Sequence, residues 1–225
     1  MNIKKQLLFI VAVFLFSSCT GIGILPGARS EFDRGLSFFN RGQYEEAIPY
    51  FREATEIDPD YADAYLYLGR SYINLGRWSE AIPPLRTAYR LSPGKTREEV
   101  GSILIDALLG GALLQFQRGN YENSISFLRE VFELDPQSTR ARSQLATVLV
   151  AFGGELLSNG RIERAIDIYT EALTLSPRNA DAYVGLARAF FRGGEFFKAL
   201  QAARSALEIE PTNREARFLL NEIQK

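Results

Sequence analysis

Along most of the chain, apolar residues return every three or four positions, the spacing that places them on one face of an α-helix. The apolar blocks come in pairs. In the stretch from Tyr65 to Pro93, Tyr65, Leu68, Gly69 and Tyr72 mark a first helix. Gly76 and Trp78 mark a turn, and Ala81, Leu85 and Ala88 mark a second helix that Pro93 closes. Proline stops a helix because it has no N–H and restricts the residue before it.

This pair recurs. "DPDYADAYLYLGRSY" at 58–72 and "SPRNADAYVGLARAF" at 176–190 share Pro, Ala-Asp-Ala-Tyr and a small residue before Arg, with Asp63 and Asp181 118 positions apart. Pro59, Pro93, Pro136, Pro177 and Pro211 divide the chain at intervals of 34, 43, 41 and 34 residues. The second and third intervals, which hold units three and four, thus carry nine and seven extra residues over a unit of 34, and three units plus these insertions give the spacing of the two copies.

A 34-residue helix-turn-helix with these residues resembles the tetratricopeptide repeat. The fifth unit fits through Tyr183, Leu186, Ala187, Phe190, Gly194, Phe196, Ala199, Ala203, Ala206 and Pro211. The first fits through Gly35, Phe38, Gly42, Tyr44, Ala47, Phe51, Ala54 and Pro59. The resemblance implies an all-α, right-handed solenoid of about five repeats, because no single pair buries its own apolar face. The units are expected at about 28–61, 62–95, 96–138, 139–179 and 180–213, in an array covering 30–225. Small residues such as Gly35, Gly69 and Ala187 on the first helix of a unit let the two helices approach closely.

Units three and four depart from the pattern before their first helix. Ile103, Leu104, Ala107, Leu108 and Ala112 keep helical spacing there, as do Leu145, Val148, Leu149, Phe152 and Leu156. The extra length predicts two elongated neighbouring helices, which either pack on each other or form a ledge for a partner. Gly101, Gly110 and Gly111 oppose that helix at about 1 kcal/mol each relative to Ala. The last stretch, 214–225, predicts a capping helix with Ala216, Leu219, Leu220 and Ile223 inward and Arg214, Arg217, Glu222 and Lys225 outward.

The first residues read differently. Lys4 and Lys5, an apolar run from Leu7 to Phe16 and the small Ser17-Ser18 before Cys19 have the layout of a secretory signal. Phe16-Ser17-Ser18-Cys19 resembles the lipobox of bacterial lipoproteins, with Phe16 where Leu is usual. The resemblance implies a signal peptide at 1–18, a diacylglycerol and an N-acyl chain on Cys19, and a flexible tether at 19–29. Such multiple acylation is sufficient for stable anchoring. Thr20, rather than Asp, after the cysteine implies the outer membrane, on its periplasmic side. Two other readings compete: an uncleaved anchor over Leu7–Leu25, a length that about spans a bilayer, and an ordinary signal sequence in which Cys19 is only a small apolar residue.

Composition narrows the chemistry. The chain has 225 residues, a net charge of −1, no histidine and a single cysteine. Histidine-based triads, histidine–metal sites and intrachain disulfides are thereby excluded, and the chain is expected not to be an enzyme. No basic excess points to nucleic acid. Gly94-Lys95-Thr96 ends like a phosphate-binding loop, but Tyr89 stands where the loop needs its first glycine. Neither a metal, a cofactor beyond the Cys19 lipid nor a small-molecule substrate is expected.

The family implies a concave groove lined by the first helix of each unit. Its positions here include Phe32, Leu36, Phe39 and Asn40; Asp63, Leu66, Arg70, Ile73 and Asn74; Leu109, Leu113 and Phe116; Val150 and Leu157; and Asp181, Val184, Arg188, Phe191 and Arg192. Arg70 with Asn74, and Arg188 with Arg192, are placed to grip a peptide carboxylate or backbone. Simple pairing of Arg70 with Asp63 and of Arg188 with Asp181 competes with that use. The whole resembles envelope lipoproteins that serve as adaptors in outer-membrane protein, pilus and secretin, or cell-wall enzyme assemblies. A surface-displayed or structural lipoprotein that contacts host or neighbouring-cell molecules, and a non-catalytic subunit that recruits an envelope hydrolase, are the other classes. Cys19→Ala is expected to release a fully helical protein from the membrane fraction. Retention in that fraction would favour the uncleaved anchor.

Overall fold

The computed structural model describes residues 24–224. The signal peptide 1–18, Cys19, the tether as far as residue 23 and Lys225 lie outside the described residues. Eleven helices follow one another: α1 Pro26–Asn40, α2 Tyr44–Ile57, α3 Ala62–Asn74, α4 Trp78–Leu91, α5 Gly94–Gln117, α6 Tyr121–Leu134, α7 Thr139–Ser158, α8 Ile162–Leu175, α9 Ala180–Arg192, α10 Phe196–Ile209 and α11 Arg214–Ile223. The described residues are all-helical, as the repeat implies. α1 begins at Pro26, inside the stretch expected as tether, and the backbone N–H of Leu25 donates to the Asp58 carboxylate at 3.2 Å.

Each odd-numbered helix from α1 to α9 (A) pairs with the next (B) through a turn with a glycine in the left-handed region, such as Gly76 at φ 70° and Gly160 at φ 73°, and α11 continues the A row alone. A side chain there would strain the backbone. Helices α7, α9 and α11 start on side-chain caps, in which Ser138, Asn179 and Asn213 accept from the amides of Ala141, Ala182 and Ala216. Pro49 and Pro83 lie inside α2 and α4 but on exposed surface, where the carbonyls they leave unpaired are able to reach water.

The inserted residues become helix. α3 and α9 have 13 residues each, whereas α5 has 24 and α7 has 20. Four residues link α6 to α7, but only Ser92-Pro93 links α4 to α5, so α5 gains two residues beyond the insertion. α5 is long and apolar enough to cross a membrane by length and composition, yet it packs between α4 and α6.

The three glycines that oppose helix formation in α5 lie under large side chains of neighbouring helices. A Cβ at Gly110 would lie 2.5 Å from the Trp78 ring, at Gly111 3.0 Å from Ile82, and at Gly101 3.1 Å from the Tyr89 ring. The same device joins helix A to helix B elsewhere: Gly35 faces Phe51 and Gly69 faces Leu85. Tyr169 is held between Gly153 of α7 and Gly185 of α9, so one ring couples two repeats. Burial pushes the Tyr169 phenol above its ordinary pKa.

The A helices approach one another from repeat to repeat, α1 to α3, α3 to α5, α7 to α9 and α9 to α11, whereas the B helices do not. The A row is therefore the inner, concave side of the curve. Arginines tie the outer row together: Arg86 to Glu130 through two bonds, the longer at 2.7 Å, Arg129 to Glu171 through one at 2.7 Å and Arg164 to Glu122 through one at 3.0 Å. Such exposed pairs contribute about 0–1 kcal/mol each, so they set register more than stability. They also give the arginine-rich surface a structural use, and at Arg86 the planar fork engages the Glu130 carboxylate with two parallel bonds.

Gly185→Ala is expected to destabilise the array by about 1–3 kcal/mol, because its Cβ would fall 2.2 Å from the Tyr169 ring. Gly154→Ala, whose Cβ meets only the Tyr169 hydroxyl at 3.7 Å, is expected to stabilise by about 0.4–1 kcal/mol. Urea denaturation of both variants reads the contrast, and equal effects would rule out the close approach.

Candidate partner-binding groove

The side chains on the inner side form rows that run from repeat to repeat. Nearest the start of the A helices the row is basic at Arg29 and mostly acidic thereafter: Asp63, Asp106, Thr147, Asp181 and Glu215, all exposed. Two apolar rows follow. One comprises Phe32, Leu66, Leu109, Val150, Val184 and Phe218, the other Phe39, Ile73, Phe116, Leu157 and Phe191. The last row is polar: Asn40, Asn74, Gln117, Ser158 and Arg192, again exposed.

Not every apolar member reaches the groove. Phe32, Leu109, Val184 and Leu157 are buried in the core and do not line it. Leu36, Leu66, Phe39, Ile73, Phe116, Val150 and Phe191 are half-buried, while Leu113 is 49% and Phe218 60% exposed. Phe116 contacts Tyr121 at 5.9 Å between ring centroids, and Phe191 meets Phe196 edge-on at 5.7 Å.

The arginines singled out in the sequence have partners that the sequence spacing did not show. The Arg188 guanidinium bonds Glu215 of α11, not Asp181. Arg192 donates to the main-chain carbonyl of Leu157 at 2.9 Å, at the end of α7. Arg70 lies over two rings, 5.4 Å from the Phe39 centroid and 5.0 Å from that of Tyr67, and forms no ion pair with Asp63. Asn74 donates to the carbonyl of Arg70 at 2.8 Å, and Asn40 is exposed at the end of α1. Cys19 lies outside the described residues. Among the described residues no cluster of three acidic or sulfur ligands is placed to hold a metal ion.

One feature of the inner side was not legible in the sequence. The extended helices α5 and α7 do not pack along each other: α5 runs along α4 and α6, and α7 along α6 and α8. Their one ionic link is Arg140 to Asp106, at 3.8 Å and two-thirds exposed on both sides. Between them, over α6, lies a slot of about 130 Å³ that Ala112, Leu113, Phe116, Leu128, Gln144 and Val148 help to line. Gln144 and its neighbour Ser143 sit in the insertion, where no repeat position assigns them.

Models of the tetratricopeptide repeat match residues 32–96, 107–138 and 156–223. The chain is a tetratricopeptide repeat protein. Among curated relatives, the DnaJ homolog subfamily C member 7 homolog of Dictyostelium discoideum is 23% identical over 182 residues, covering 81% of this chain and 28% of that protein. Protein O-mannosyl-transferase TMTC1 of Homo sapiens is 23% identical over 180 residues, covering 80% of this chain and 19% of that one. The tetratricopeptide chain thus spans less than a third of either relative. Similar solved structures include YrrB, described as a TPR protein with an unusual peptide-binding site. It is 20% identical with a TM-score of 0.39, over 85% of this chain and 90% of that one. PilF of Pseudomonas aeruginosa is 20% identical with a TM-score of 0.40, over 88% and 82%.

Because Arg188 and Glu215 hold the last helix to the array, Arg188→Ala is expected to speed amide exchange in α11 several-fold and leave α1–α4 unchanged. Unaltered exchange in α11 would show that apolar packing of Ala216 and Leu219 alone holds the cap.

Proposed function

We propose that this chain is a lipid-anchored, non-catalytic adaptor of the cell envelope that holds a protein partner in its concave groove. The observation that carries the reading is the inner side itself. Leu66, Ile73, Leu113, Phe116, Val150 and Phe191 keep apolar surface there, and α11 packs on α9 and α10, away from the groove between α3 and α7. Apolar side chains lined up in a concavity are the surface a partner segment covers.

The anchoring half of the proposal rests on the first nineteen residues: a basic start, an apolar run and small residues before the single cysteine. An acylated Cys19 would leave a short tether before α1 and hold the array close to a membrane, which suits recruitment of a partner more than turnover of a substrate. The absence of histidine supports the non-catalytic part, since general acid–base chemistry at neutral pH most often uses it. Which envelope assembly is served is carried only by the resemblance to envelope lipoproteins.

The test is chemical crosslinking in intact cells followed by affinity isolation of the lipidated protein, run in parallel with Leu113→Glu. One reproducible envelope protein with the unaltered chain, depleted at least about tenfold by the apolar-to-charged change at this exposed groove position, is the expected result. Equal recovery with both chains would move the site to another face.

A further inference from the structure

Of the arginines placed by the sequence to grip a partner, Arg188 and Arg192 are engaged within the protein, and Arg70 is left. Its guanidinium lies over the rings of Phe39 and Tyr67, 5.4 and 5.0 Å from their centroids. Among the described residues no carboxylate pairs with it and none of its N–H groups finds an acceptor. Stacking holds the plane of the guanidinium and leaves its edge, which carries the N–H donors, unused. A fork fixed in advance loses little freedom when it bonds a ligand.

Leu36, Arg70 and Leu113 hold the same place in α1, α3 and α5, four residues beyond Phe32, Leu66 and Leu109. Leu36 is half-buried and Leu113 about half-exposed, so the cation has apolar surface on either side along the groove. In α9 the same place holds Arg188, which Glu215 neutralises.

The other charges of the inner side leave that fork free. Asp33 bonds Arg29, Asp106 faces Arg140 and Glu215 bonds Arg188. Asp63 lies about 10 Å from Arg70 along α3, and Asp181 lies on α9, beyond the slot. Arg142, exposed beside the slot on α7, also lacks an acidic partner among the described residues, but no ring holds it.

These surroundings select the ligand group. A planar guanidinium meets a carboxylate with two parallel bonds, and one positive charge balances one negative charge. A phosphate carries roughly two charges at neutral pH and calls for a second cation, whereas leucines stand on both sides of Arg70. A chain terminus would leave Leu36 or Leu113 uncovered. We infer that Arg70 binds the side-chain carboxylate of an Asp or Glu within the partner segment, whose apolar residues to either side cover Leu36 and Leu113. This rests on the groove reading above and narrows the partner to an acidic–apolar segment.

Packed helices lie about 8–10 Å apart, a step covered by about three residues of an extended chain or about seven of a helix. The probes are therefore two rhodamine-labelled peptides with a central glutamate and a leucine either three or seven residues to each side. They are titrated against the full protein as isolated from cells and read by anisotropy. At least one is expected to bind, and glutamine in place of its glutamate is expected to weaken it about tenfold. Arg70→Lys keeps the charge but not the fork, and is expected to weaken the glutamate peptide several-fold with an unchanged circular dichroism spectrum. Arg70→Glu is expected to lose that peptide and take a lysine-centred one instead, an exchange that an arginine of purely structural use would not show.

Equal affinity for glutamate- and glutamine-centred peptides, or no binding of either length at about 1 mM peptide, overturns the inference. A phosphoserine-centred peptide that binds more than about tenfold tighter moves the ligand to a phosphate and likewise overturns it. So does equal binding of a peptide that ends in a free carboxylate at the central position. Binding that ignores both Arg70 variants but is lost in Ile73→Asp removes the carboxylate contact and leaves the groove reading standing. Binding that ignores all three variants removes the two together.

Discussion

A large side chain of one helix pressed against a bare Cα of another is the contact on which this array depends. Phe51 against Gly35, Leu85 against Gly69, Trp78 against Gly110 and Tyr169 between Gly153 and Gly185 bring helix axes closer than any Cβ would allow. Glycine inside a helix costs about 1 kcal/mol relative to alanine. The rings and aliphatic groups that fill the space more than offset this, because each buries its apolar surface against two helices rather than one. Tyr169 shows the consequence most fully: its ring fixes the spacing within repeat four and between repeats four and five.

That spacing decides which side chains face inward. With the A helices closer together than the B helices at every step except α5 to α7, the chain curves toward the A row, and the half-buried apolar residues there become the floor of a groove. The outer row is linked by arginine–glutamate pairs, which lie on the side away from the groove and add orientation with little stability. Packing and recognition are thereby separated: buried residues of the A helices, such as Leu109 and Leu157, set the curve, while their neighbours Leu113 and Phe116 remain available to a partner.

Much of this was legible in the sequence. Prolines closing each unit marked the repeats, and the two insertions reappear as added helix in α5 and α7, with two further residues in α5. The inward residues of the capping helix were placed correctly at Ala216 and Leu219, which are buried. The glycines of α5 could be read only as a cost, because the residue that pays back each one, Trp78, Ile82 or Tyr89, sits on a neighbouring helix. The partners of Arg188 and Arg192 were hidden for the same reason. Glu215 and the Leu157 carbonyl are reached across the superhelix, at angles that the sequence period does not encode. The slot beside Gln144 arises where two elongated helices part, and no repeat position describes that place.

The central claim is that the inner row is where a protein partner sits. The most direct measurement places a photoreactive benzophenone side chain at Ile73, Leu113 or Phe191 on the inner side, or at Arg86, Thr170 or Arg204 on the outer, and irradiates intact cells. One crosslinked partner shared by the three inner positions and absent from the three outer ones is the expected result. Crosslinks confined to the outer positions would contradict it.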